Sequence, residues 1–149
     1  MDIARWLHLI GVAVWVGGMF FAYMALRPAA VAVLEPPLRL PLWHQTLRRF
    51  FLWVWVAVVL ILVSGLHMIA VLGGRDAPAY AWIMLVIGIV MMLIFAHVFF
   101  AAFRRLERAV AAADWKAGGA ALGQIRKLVG LNLILGLITI TVATIGKML

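Results

Sequence analysis

Four apolar runs divide the chain. The first, residues 7–26, reads LHLIGVAVWVGGMFFAYMAL and has no proline and one ionisable side chain, His8. A run of that length and purity reads as a membrane-spanning helix rather than a soluble core helix. Three more follow, at residues 51–72, 80–103 and 128–145. The pattern predicts an all-α, polytopic membrane protein: one four-helix transmembrane domain over residues 1–149, with the first span extending over about residues 3–26.

Polar and small positions recur with helical spacing inside these runs. In span one, His8, Gly11, Trp15, Gly18 and Ala22 fall on one side. In span two, Trp53, Ala57, Ser64 and His67 share a side, with Leu60 between. In span four, Asn132, Gly136, Thr139 and Ala143 form a stripe that Lys147 extends. In lipid, small and polar faces are expected to turn inward, because they permit close helix approach and avoid the acyl chains.

The connections carry the breaks. Pro36, Pro37 and Pro41 predict that no long helix crosses residues 27–49, with residues 42–50 as a short amphipathic lead-in anchored by Trp43. After span three the helix is expected to continue through RRLERAVAAA. Asp114 then caps a short second helix, which Gly118, Gly119 and Gly123 weaken.

Composition agrees with the pattern. The chain is 68% hydrophobic and 12% charged, with a mean hydropathy of +1.16. Soluble domains average about 45–50% apolar and about 25% charged. With no cysteine there is no disulfide, iron–sulfur cluster, thiolate zinc site or cysteine nucleophile. The net charge of +8 lies between apolar runs, where it sets topology and meets anionic lipid head groups; it gives no nucleic-acid signal. A cleaved signal peptide has a shorter apolar core and lacks an acid such as Asp2 before it, so the first run is read as mature protein.

Arg27, Arg39, Arg48 and Arg49 precede span two, and Arg104, Arg105, Arg108, Lys116, Arg126 and Lys127 precede span four. The connection between spans two and three has only Arg75, balanced by Asp76. The positive-inside rule therefore places the two basic connections in the cytoplasm and both termini outside, in a multi-pass protein of the bacterial cytoplasmic (inner) membrane.

This topology converts position into depth. His8 and His67 reach similar levels in the outer half, while His97 lies nearer the inner surface, close to the level of Asn132. An intramembrane histidine can simply satisfy a neighbour across the bundle, and Ser64, Thr139, Thr141 and Thr144 are available partners. The alternative is ligation, since neutral imidazole binds haem iron and copper. His8 and His67 would clamp a haem b from two helices, with His97 as the other ligand or as a contact to propionate or substrate. Trp15 and Trp53 would wall the macrocycle, or would simply fill the core. Copper would instead use His8, His67, His97 and Met84, because thioethers select the monovalent ion. The other methionines are scattered along the chain without an MxxM repeat.

The stretches RWLHLIGVAVWVGGMFF, RRFFLWVW, SGLH, FAHVFFAAFRRL and VGLNLILGLITI resemble the CopD-like family of small bacterial membrane proteins, over nearly the whole chain. That resemblance implies a copper-related role, copper movement across the inner membrane having been proposed for such proteins. The opening Leu7-His8-x-Ile10-Gly11 with Trp15 also resembles the HemJ-type protoporphyrinogen oxidases, four-helix membrane proteins that bind haem b. Carried over, the essential histidine of that family falls on His8, and a histidine late in its third helix falls on His97.

Four functions follow as expectations. The first is a haem b redox protein that exchanges electrons with a quinone or small redox partner. The second is a copper-binding or copper-transfer protein. The third is a cofactor-free structural subunit that pairs as a homodimer or docks a partner membrane protein. The fourth is a protoporphyrinogen oxidase-like enzyme.

Overall fold

The computed structural model describes residues 1–148 and contains four long helices: α1 (Asp2–Val33), α2 (Pro36–Val71), α3 (Ala79–Ala111) and α4 (Trp115–Ile145). Each is long and apolar enough to cross a membrane. No strand occurs among the described residues. The all-α, four-span architecture is as the apolar runs predict.

The prolines do not stop the chain where the sequence reading expects. α1 passes through Pro28 to Val33, and α2 starts directly at Pro36. Pro36 and Pro37 occupy the first turn, where no intrahelical partner exists for an amide proton, so both fit without loss. Pro41 gives up a single bond early in the helix. Residues 42–50 are thus part of α2, and Trp43 is buried in the bundle rather than anchored at an interface. α3 runs on to Ala111, as expected. The connection to α4 is three residues, reversed by Ala113 in the left-handed region at φ 53°. Asp114 caps the next helix, its Oδ1 accepting from the Ala117 amide at 3.1 Å. That helix is α4 itself, which runs through all three glycines without a break.

α1 packs chiefly on α2, and α3 on α4. The α1–α2 approach is close at Gly11, where a Cβ would lie 2.8 Å from Ile61 Cγ1 and 3.1 Å from the Ala57 carbonyl oxygen. Small residues at such a crossing let backbones meet in lipid, where dispersion contacts rather than water exclusion hold helices together.

The two ends of the bundle differ. The connections at residues 34–35 and 112–114 mark a basic end; the termini and residues 72–78 mark a terminal end. Towards the basic end the core is aromatic. Phe51, 2% exposed, meets Phe95 edge-on at 5.4 Å and Phe103 at 5.2 Å, and Trp55 meets Phe95 at 5.0 Å. These quadrupole-favoured contacts fill that half of the bundle. The basic end is also pinned by polar contacts. Arg105 donates to Gln124 Oε1 between α3 and α4. His44 of α2 bonds Glu107 of α3 at 3.3 Å and stacks on Phe103 at 5.7 Å. Arg104 reaches the other Glu107 oxygen at 3.3 Å. The bond from His44, aided by Arg104, holds the Glu107 carboxyl below the usual carboxylate range.

Candidate functional site

The terminal half contains a cavity of about 300 Å³ framed by all four helices. Arg5, Tyr80 and Lys147 line its surface side, while Trp15, Met91 and Gly136 line its deep side. Most of the wall is aliphatic, and besides Arg5, Tyr80 and Lys147 its polar or polarisable groups are few: the His8 imidazole, the Thr139 and Thr144 hydroxyls and a set of methionine thioethers.

His8 reaches this cavity because of what flanks it. One turn along, Gly11 brings α1 against α2. Across the interface, Gly65 leaves room for the ring: a Cβ there would sit 3.3 Å from His8 Cε1 and 3.6 Å from Nδ1. Ser64, 4% exposed, places its Oγ 3.0 Å from His8 Nδ1. The same hydroxyl lies 2.5 Å from the Leu60 carbonyl oxygen, the back-bond usual for serine inside a helix. The threonines of α4 do the same: Thr139 bonds Leu135, Thr141 bonds Leu137 and Thr144 bonds Ile140. None of them partners His8. The inward faces expected for α1 and α4 are present, with Gly11, Trp15, Asn132 and Gly136 buried.

The expected pairing of His8 with His67 is not formed. Both are near the terminal end, but His67 is exposed on the outside of α2 and does not line the cavity. Helix geometry gives the reason. Three residues separate Ser64 from His67, which turns the side chain by about 60°. Ser64 already sits at the edge of the buried side, so this rotation carries His67 outward. Trp53 lies on the same outward side and is 64% exposed; it does not face Trp15, which is 3% exposed. His97 is also exposed, on α3 just before the π-turn Val98–Ala102. Among the described residues, no three His, Cys, Asp or Glu side chains come together.

Of the expected ligands, then, His8 and Met84 share the cavity, with Trp15 in its wall. They are joined by Met1 ahead of α1, by Met68 from α2 and by Met91 and Met92 from α3. Along the sequence these methionines look scattered. On α3, Met84, Gly88, Met91 and Met92 step by four, three and one, so they fall on one side of the helix, a signal present in the spacing. Their convergence with Met68 and His8 depends on helix pairing and could not be read from one helix.

Beneath the cavity, Asn132 is 3% exposed and donates from Nδ2 to the Met91 carbonyl at 3.0 Å. Its Oδ1 has no hydrogen-bond partner among the described residues. The Asn132 bond ties α4 to the turn of α3 that presents Met91 and Met92.

Compared with known proteins, residues 44–145 match the family described as Copper resistance protein D. The match covers α2 from His44 through α3 and α4, and does not include α1 or His8. No curated protein and no solved structure matches the chain. The matched span takes in well over half of the sequence, and the chain is a multi-pass membrane protein that belongs to the copper resistance protein D (CopD) family.

Proposed function

We propose that this chain binds monovalent copper in the terminal-end cavity and passes it on within the membrane. The observation that carries the reading is the convergence of one imidazole, His8, and five thioethers, Met1, Met68, Met84, Met91 and Met92, on a single cavity. Soft thioether donors with imidazole suit monovalent copper, and a wall without carboxylates gives hard divalent ions little to bind. Arg5 and Lys147 at the rim disfavour entry of a free hydrated cation, so copper arrives by ligand exchange from a carrier. The family description, which names copper resistance, supports the same reading.

The haem b and oxidase readings have less behind them. They call for imidazoles on two faces of a macrocycle, and His67 and His97 both turn away from the cavity. We place the protein in the cytoplasmic membrane with its basic end inside, on the strength of the uneven basic residues of the connections. In that orientation the cavity receives copper from the exterior side.

The direct test is metal content. Full-length protein, purified in mild detergent, loaded with cuprous ion under a reductant and desalted, should retain copper near one equivalent per chain. Retention of none, or equal retention of zinc and copper, contradicts the proposal.

A further inference from the structure

We infer that Ser64 is a positioning residue that fixes the tautomer of His8, so that Nδ1 carries the proton and Nε2 is the nitrogen offered to the cavity. This rests on the copper reading for its purpose, though not for its geometry.

Ser64 Oγ has one hydrogen and, besides the Ile61 carbonyl oxygen at 3.3 Å, two closer neighbours. The Leu60 carbonyl oxygen is 2.5 Å away, and His8 Nδ1 is 3.0 Å away. Two oxygens at the first distance repel unless a proton lies between them, and a carbonyl has none to give. The serine proton is therefore spent on Leu60. What Ser64 turns toward His8 is a lone pair, and a lone pair at 3.0 Å calls for a donor. In neutral imidazole only one nitrogen donates, so Nδ1 is protonated and Nε2 is not.

The surroundings hold this arrangement. Ser64 is 4% exposed, so no solvent competes for its lone pair. Gly65 lets the ring lie against α2, where a methyl group would press on Cε1. With Nδ1 tied to α2, the opposite nitrogen is the one free for a metal. A metal-binding histidine is commonly oriented in this way through its other ring nitrogen, and losing that partner typically lowers metal affinity roughly ten- to hundredfold.

The test uses the full chain in lipid nanodiscs, free of copper and labelled with ¹⁵N-histidine, the His8 signals being identified by their loss in His8→Gln. Wild type should show a protonated Nδ1 and an unprotonated Nε2. Ser64→Ala should lose that preference, and Ser64→Thr, which keeps the hydroxyl, should restore it. In parallel, cuprous affinity measured against bicinchoninate should fall about tenfold or more in Ser64→Ala and return towards wild type in Ser64→Thr. A protonated Nε2 in wild type, or a Ser64→Ala protein with unchanged ¹⁵N signals, overturns the inference. If wild type takes up no copper, the copper reading fails while the nitrogen signals still decide the tautomer. If Ser64→Ala does not fold, wild type and Ser64→Thr alone decide it.

Discussion

His8 Nδ1 and Ser64 Oγ lie 3.0 Å apart across the α1–α2 interface, and this contact joins a cavity-lining imidazole to a buried serine. It exists because Gly11 and Gly65 remove the side chains that would hold the two helices apart. The consequences of this geometry reach from the packing of α1 to the chemistry of the cavity.

Packing makes the first prediction. A Gly11→Val side chain has to enter space already taken by Ile61 Cγ1 and the Ala57 carbonyl. Ile61 can shift, whereas the backbone oxygen cannot. Overpacking of this kind costs about 1–3 kcal/mol. Thermal unfolding in detergent should show the loss, together with weakened copper retention because His8 moves with α1. Gly17, which has nothing within 4 Å of a built Cβ, should accept alanine without loss of stability.

The methionines allow binding to be separated from folding. Met→Leu exchanges nearly conserve volume and usually cost less than about 1.5 kcal/mol. Replacing Met68, Met84 and Met92 together by leucine should therefore leave a folded bundle. Its cuprous affinity, by competition titration, should fall at least about tenfold, as expected when several soft donors are lost. Unchanged affinity would mean that the thioethers are wall material and nothing more.

Asn132 makes a milder prediction. Its Nδ2 bond to the Met91 carbonyl is offset by an Oδ1 without a partner. An Asn132→Leu change removes both the bond and the unpaired acceptor, and exchanges of that type are near neutral, within about 1 kcal/mol. Thermal stability should thus barely move. Asn132→Asp introduces a carboxylate at a buried place and should lower stability clearly by the same measurement.

At the basic end, the prediction concerns pH. Glu107 sits below its ordinary carboxylate range because His44, and then Arg104, bond its charged form. A lowered carboxyl pKa contributes stability above the unfolded value and loses it as the pH falls through the folded value. Wild type should therefore exceed Glu107→Gln in thermal stability at neutral pH and converge with it on acidification. The Glu107 side chain is 39% exposed, so the difference at neutral pH should be below about 1 kcal/mol.

These residues also mark how far the sequence was legible. The four spans, the inward stripes of α1 and α4 and the helical extension past Phe103 follow from periodicity alone. The proline-rich connection misled, because Pro36 and Pro37 begin a helix as readily as prolines interrupt one. His67 misled for a different reason. Depth along a helix is set by residue count, but facing is set by rotation, and Ser64 and His67 fall on different sides of one helix. Met84 with Met91 and Met92 was legible as one face of α3, whereas their meeting with His8 depended on how two helix pairs close around a cavity.

The central claim is that copper binds through His8 in the cavity and not through the outward histidines. Cuprous affinity measured against bicinchoninate for wild type, His8→Ala, His67→Ala and His97→Ala tests it most directly. The account predicts a loss of about tenfold or more in His8→Ala alone, with the other two variants matching wild type. Equal affinity in His8→Ala and wild type, or a loss that appears only in His67→Ala, would contradict it.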